Sequence, residues 1–261
     1  MTSPKTVLIT GTSSGIGMAA AIGTARAGWA TIATMRDTGK AEALLSAAAE
    51  AGVADRIQIK RLDVTDSVGV TACLDEVVAE HGGLDALVNN AGAAQVGTIE
   101  QSSVDDVRAA MEVNFFGVVA ATRAALPHLR ASKGRLITVT SVGGVVGQPF
   151  NEAYCAAKFA VEGFMQSLAP VAATVGVDVP TLLGAAGPYG PALEAYIART
   201  QQSFANAQTP AEAAAPIVDA LTAARPPFRI QTSQWARDFV ATTLSDLDGS
   251  AVQTLTGTWV R

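Results

Sequence analysis

The sequence predicts a single-domain, three-layer α/β fold in which helices cover both faces of one doubly wound parallel sheet. Three observations carry that prediction. Short β-branched runs alternate with alanine-rich helical stretches over the first two-thirds of the chain, most of these runs are apolar nearly throughout, and a glycine-rich turn joins the first run to the first helix. Continuous apolar runs mark parallel strands covered on both sides, whereas strict alternation marks a half-exposed strand. Strands alternating with helices give the rhythm of βαβ units. With 261 residues and 49% hydrophobic content, the chain can enclose one large core.

In chain order, strands are expected at 5–10 (KTVLIT), 30–34 (ATIAT), 56–64 (RIQIKRLDV), 84–92 (LDALVNNAG) and 135–141 (RLITVTS). The third alternates polar and apolar residues and therefore belongs nearer an edge. Helices are expected at about 14–27, 38–51, 66–81 and 102–131, the last being two helices that meet near MEVNFFG. A long helix at about 151–174 follows the fifth strand. The final third is less regular, with helical stretches at 191–207 and 210–224, a strand at 228–232 and a tail from Ser233 that packs back as a cap.

Composition narrows the function. The formal net charge is −5 and no basic run occurs, which argues against nucleic acid as a partner. Residues 163–187 carry one charge, Asp178, but Pro170, Gly176 and Pro180 divide the stretch into pieces shorter than a bilayer requires, so no membrane span is expected. The N-terminus lacks the apolar stretch of a signal peptide, and Cys73 and Cys155 are the only cysteines. A cytosolic protein with reduced thiols is the expectation. His81 and His128 have no ligand-like spacing, and no metal is expected.

The turn VLITGTSSGIG places Gly11, Gly15 and Gly17 between a strand and a helix start. Glycines there let the backbone turn tightly and approach a pyrophosphate, which then rests on the amides of the helix N-terminus. Ser13 and Ser14 supply hydroxyls to phosphates or cap the helix, and Ile16 lies between the last two glycines. The end of the second strand reads the adenosine ribose of such a dinucleotide. Met35 and Arg36 stand where an acid would select NAD, and the Arg36 fork suits a 2′-phosphate, so NADP(H) is favoured over NAD(H). Asp37 has two candidate roles, ribose contact or helix cap.

Tyr154 and Lys158 lie one helical turn apart in NEAYCAAKFAVEG and so share a helix face. A cation near a phenol favours the phenolate and lowers its pKa, which would make the tyrosine a proton donor and acceptor. Cys155 points about 100° away along the helix and is read as packing.

With the glycine turn, NNAG (89–92), Asn114, Ser141, Tyr154 and Lys158 in this order, the chain resembles the short-chain dehydrogenase/reductase family over residues 5 to about 175. The stretch SVGGVVGQPFNEAYCAAKFAVEG (141–163), with ATMRD and LDV, is most similar to the branch holding the estrogenic 17β-hydroxysteroid dehydrogenases. The resemblance implies a Rossmann-type NADP(H)-dependent alcohol dehydrogenase or carbonyl reductase. Tyr154 would be its general acid/base and Lys158 would hold the nicotinamide ribose. Ser141 would bond the substrate oxygen, and Asn114 would position a water linked to Lys158. Asp63 and Val64 would contact the adenine, and Asn90, Ala91 and Gly92 would line the cofactor cleft. Gly143, Val145, Gln148 and Phe150 would wall a pocket for a small hydrophobic alcohol or carbonyl compound, steroid-like, retinoid-like or aromatic. Association as a homodimer or homotetramer through helices 112–131 and 151–174 is a further implication.

The resemblance weakens at 176–191 (GVDVPTLLGAAGPYGP). Gly187-Pro188 is the candidate for the turn that covers the nicotinamide, yet Pro180 falls inside the only strand candidate, where a central strand cannot spare an amide. The strand is therefore expected to be short and irregular, or absent, with Pro180 at its edge. That departure leaves an alternative open: a catalytically weak dinucleotide-binding regulatory or scaffold protein.

Overall fold

The computed structural model describes residues 4–173, 175–183, 208–227 and 229–245. Among the described residues seven parallel strands form one sheet: β1 (Thr6–Thr10), β2 (Ala30–Met35), β3 (Ile57–Arg61), β4 (Ala86–Asn89), β5 (Arg135–Val139), β6 (Thr181–Leu183) and β7 (Arg229–Gln231). Their spatial order is β3-β2-β1-β4-β5-β6-β7. The chain moves outward from β1 in one direction, returns, and moves outward in the other, which creates a switch point between β1 and β4. The alternating strand β3 is an edge strand, as its pattern requires.

Successive side chains on the strands feed two separate cores. Val7, Ile9, Ala33 and Ile137 face α1 (Gly15–Arg26), α2 (Glu42–Glu50) and the Pro210–Thr222 helix, meeting Ala21, Leu44 and Ile217. Leu8, Ile32, Leu87 and Leu136 face α3 (Ser67–His81), α5 (Gly117–Ser132) and α6 (Glu152–Ala173), meeting Leu74, Leu129, Val161 and Met165. Each fully buried Leu or Ile contributes roughly 1.5–3 kcal/mol.

Between α4 (Val104–Met111) and α5 the backbone widens into a π-turn, Glu112–Phe116, at the predicted junction. The combined run Val104–Ser132 is long and apolar enough to cross a membrane by length and composition, although the sequence had drawn attention to 163–187 instead. Val118, Ala121, Ala125 and Leu129 of this run pack into the core.

Three strands stop earlier than their apolar runs do. Residues 62–64, 90–92 and 140–141 were expected within strands, but they leave the ladder and become loops at the C-terminal edge of the sheet. β6 has three residues and pairs with β5 and β7 on either side. Pro180 enters it directly. The Thr138 amide donates to the Pro180 carbonyl at 3.3 Å and the Leu136 amide to the Asp178 carbonyl at 2.9 Å, so the approach to β6 lies alongside β5. Proline has no amide to return to that ladder, and this keeps the regular strand short. The expected helix 191–207 and the candidate turn Gly187-Pro188 lie outside the described residues. The helix Gln234–Ser245 does pack back as a cap, with Ala236, Phe239 and Val240 against Val142, Val145 and Val146.

Candidate active site

A cleft of about 500 Å³ opens at the switch point, over the C-terminal ends of β1, β2, β4 and β5. Its wall includes Gly11, Ser13, Ser14, Ile16 and Gly17 from the first turn, Arg36 after β2, and Asp63 and Val64 after β3. Asn90, Ala91 and Gly92 follow from β4, Asn114 from the π-turn, and Tyr154 and Lys158 from α6. Residues predicted from six separate stretches of the sequence thus meet in one place. The sequence reading missed Leu62, Val113, Val139, Thr140 and Asn151, which also line the cleft. Val139 and Thr140 had a signal, since they directly precede Ser141 at a strand end.

The glycine turn is built for close approach. Gly11 has φ +71°, and a Cβ there would come within 2.7 Å of the Ala91 Cα. A Cβ on Gly17 would collide with the Gly11 carbonyl and the Asn90 amide. That same Asn90 amide donates to the Thr10 and Gly11 carbonyls at 2.9 and 2.8 Å, tying the turn to the loop after β4. Gly15 has φ +60°, and a Cβ there would meet nothing within 4 Å. The Ser14 hydroxyl makes no capping hydrogen bond although Ser14 sits at the N-cap of α1. An open helix N-terminus with a spare hydroxyl and free space above the glycines fits a dinucleotide pyrophosphate.

On the adenosine side Asp37 takes up its capping role. Its carboxylate accepts from the Gly39 amide at 3.0 Å and caps the short turn Thr38–Lys40. Arg36 stays on the cleft wall. Asp63 accepts from the amide and hydroxyl of Thr65, and these hydrogen bonds, with help from Arg36 and Arg61, hold its carboxyl below the usual range.

At the other end, the Tyr154 hydroxyl faces Ser141, which is wholly buried and accepts from the Gly143 amide at 3.1 Å. Lys158 is buried, donates to the Val139 carbonyl at 3.3 Å, and lies 5.8 Å from the centroid of the Tyr154 ring. Burial pushes the Lys158 ammonium down to about 8, against the opposing pull of Glu162. The Tyr154 phenol is displaced upward by burial, with Ser141 pulling it back. This corrects the expectation that Lys158 lowers it: desolvation of a buried phenolate sets the direction. Asn114 is wholly buried. Its amide donates to the Ala93 and Ala110 carbonyls at 2.9 and 3.0 Å, and its oxygen accepts from the Ala93 amide at 3.2 Å.

The four residues expected around a substrate lie beside this end rather than in the cleft wall. Gly143 and Gln148 are buried near Ser141 and Cys155, and the Gln148 Oε1 is without a hydrogen-bond partner. Val145 packs under the Gln234–Ser245 helix. Phe150 has φ +60°, a conformation that costs a non-glycine residue about 1–3 kcal/mol, and its carbonyl accepts from Gly97 at 3.2 Å. Burial raises the Cys155 thiol to about 11, consistent with a packing role. Among the described residues no group of His, Cys, Asp or Glu side chains is arranged to hold a metal ion.

A doubly wound sheet carrying a glycine turn and a Ser–Tyr–Lys cluster over its switch point defines a dinucleotide-dependent oxidoreductase. The sequence profile of the short chain dehydrogenase family matches residues 5–186, and the chain belongs to that family. Retinol dehydrogenase 8 of Bos taurus is 35% identical over 95% of this chain and 87% of its own length. The 17-beta-hydroxysteroid dehydrogenase type 1 of Homo sapiens is 34% identical over 94% and 82%. A short-chain dehydrogenase from Streptomyces avermitilis superposes with a TM-score of 0.83 at 32% identity, over 99% of this chain and 98% of that one. A metagenomic short-chain oxidoreductase solved with NADP gives 0.74 at 27% identity, over 88% and 96%. A Burkholderia phymatum member solved with NAD shares the fold, with a TM-score of 0.82 at 23% identity, over 94% and 95%. A nicotinamide dinucleotide is the cofactor class of such proteins.

Proposed function

We propose that this protein is an NADP(H)-dependent oxidoreductase that interconverts a secondary alcohol and a ketone or aldehyde on a largely apolar substrate. The observation that carries the reading is the Tyr154 hydroxyl, facing Ser141 and one turn from Lys158, in the cleft that the glycine turn opens. Gly11, Ser13, Ser14, Gly15, Ile16 and Gly17 would hold the pyrophosphate, Arg36 the 2′-phosphate, and Asp63 with Val64 the adenine. The bound dinucleotide supplies or accepts hydride. In reduction Ser141 donates a hydrogen bond to the substrate carbonyl oxygen and Tyr154 gives that oxygen its proton. A phenol raised above its usual value is protonated throughout the physiological range and suits this direction. The Lys158 ammonium then stabilises the phenolate that proton transfer leaves. Oxidation runs the same steps backward.

The apolar substrate class rests on the names of the retinol and 17β-hydroxysteroid dehydrogenases and on Gly143, Val145 and Phe150 beside Ser141. NADP(H) rests on Arg36 in the cleft wall and on Asp37 being used as a cap. Half-exposed Phe116 in the π-turn and Phe159 on α6 make that face a candidate for subunit association, and the two free cysteines support a cytosolic location. The test is NADPH oxidation with steroid, retinoid-type and aromatic carbonyl compounds. Turnover with at least one class supports the reading. Tight NADPH binding without turnover across the panel favours the dinucleotide-binding regulatory protein instead.

A further inference from the structure

One turn beyond Lys158 on α6, Glu162 is buried, with 5% of its surface exposed. A carboxylate in that setting needs partners, and it has them from two other segments. The Thr140 hydroxyl donates to Oε1 at 2.6 Å, and the Arg229 guanidinium donates to Oε2 at 3.2 Å. Thr140 lines the cleft and is the residue immediately before Ser141. Arg229 opens β7, so the carboxylate joins the C-terminal part of the sheet to the helix bearing Tyr154 and Lys158. Gly144 allows this close packing: a Cβ there would come within 2.9 Å of the Lys158 carbonyl and 3.1 Å of the Glu162 Cγ.

Tyr154, Lys158 and Glu162 are spaced i, i+4, i+8 and share one helix face. We propose that Glu162, clamped by Thr140 and Arg229, is a positioning residue that keeps the Lys158 ammonium charged and holds the strand end carrying Ser141 against Tyr154. The inference rests on the oxidoreductase reading. Among the described residues, the charged or titratable groups around Lys158 are Tyr154 and Glu162 on its own helix and, through Glu162, Arg229 from β7. Val139, Thr140, Ser141 and Asn114 contribute only neutral groups. Glu162 is therefore the nearby anion, and its charge opposes the burial that drives Lys158 toward neutrality.

The test uses Glu162→Gln, which keeps an oxygen for the Thr140 hydroxyl and removes the charge. Two quantities are followed from about pH 6 to 10: kcat/KM for NADPH-driven reduction of a hydrophobic ketone, and NADPH affinity by fluorescence without ketone. In the wild type both should fall on passing about 8. In Glu162→Gln the inflection should move down by about one unit while the values on its acid side stay within about threefold of wild type. Arg229→Gln should move the inflection the other way, by about half a unit, because the carboxylate loses its competing cation. That variant decides the matter if Glu162→Gln does not fold. An inflection that stays in place, or a loss by the same factor at every pH, overturns the proposal. A wild type that binds NADPH with an inflection near 8 but reduces no ketone overturns the oxidoreductase reading, and the binding profiles still decide the role of Glu162.

Discussion

The wholly buried Ser141 faces the Tyr154 hydroxyl, while the Lys158 Nζ stands 5.8 Å from the centroid of the tyrosine ring. The phenol thus has a hydroxyl at its tip and a cation beside its ring. The proton at that tip is the group the proposed chemistry needs. Tyr154→Phe should lower the reduction rate by about 10²–10⁴-fold and leave NADPH affinity nearly unchanged. A Phe variant that keeps more than a tenth of the wild-type rate would show that the proton comes from elsewhere.

The buried ammonium carries a stability cost with a defined pH dependence. Lys158 holds its proton to about 8 in the folded protein and to the ordinary 10.5 when unfolded. Below pH 8 both states are charged and the full cost is present. Between about 8 and 10.5 the folded state releases the proton first, the unfolded state binds more, and stability rises with pH. Lys158→Met should therefore be more stable than wild type at pH 7, and its advantage should shrink by about 1.4 kcal/mol per pH unit above 8. Thermal melts of both proteins at matched pH read this directly, since the buried thiols titrate alike in each. An advantage that is constant across the range would mean Lys158 does not titrate near 8.

The positions of the first five strands were legible because apolar runs and glycine turns are local signals. The π-turn at Asn114 was not, since nothing in MEVNFFG distinguishes one widened turn from two abutting helices. The ends of β3, β4 and β5 were placed too late because extended residues such as Leu62 and Asn90 look like strand until the neighbouring ladder ends. Tyr154 and Lys158 were legible from spacing, but the direction of the tyrosine shift was not, because it depends on burial. Nothing local in the sequence singles out Glu162. Its partners, Thr140 and Arg229, lie 22 and 67 residues away in sequence.

Cofactor choice should follow Arg36. Arg36→Ala should weaken NADPH by about one to two decades and leave NADH nearly unchanged, the size of one charge-assisted hydrogen bond. Met35→Asp, whose parent side chain also lines the cleft, should shift preference toward NADH by repelling a 2′-phosphate. Titrating both cofactors against each variant separates the outcomes. Equal losses for NADPH and NADH in Arg36→Ala would make Arg36 a structural residue.

The two inner glycines of the turn should fail in different ways when replaced by alanine. At Gly17 the methyl would collide with the Gly11 carbonyl and the Asn90 amide, so the turn must move and the Asn90–Gly11 hydrogen bond must stretch. Overpacking of that kind costs about 1–3 kcal/mol and should appear first as a lowered Tm, by roughly 2–4 °C per kcal/mol. At Gly15 the methyl would meet no protein atom within 4 Å, and the folded state would bear only the strain of φ +60°, about 1–2 kcal/mol. The same methyl would stand in the space above the α1 N-terminus where the pyrophosphate is proposed to rest. Gly15→Ala should therefore lose at least about tenfold in NADPH affinity, a gap of roughly 1.4 kcal/mol, with only a small change in Tm. Calorimetric binding and a thermal melt on the same preparations distinguish the two variants. A Gly15→Ala protein that binds NADPH as tightly as wild type would show that the pyrophosphate does not lie over this turn.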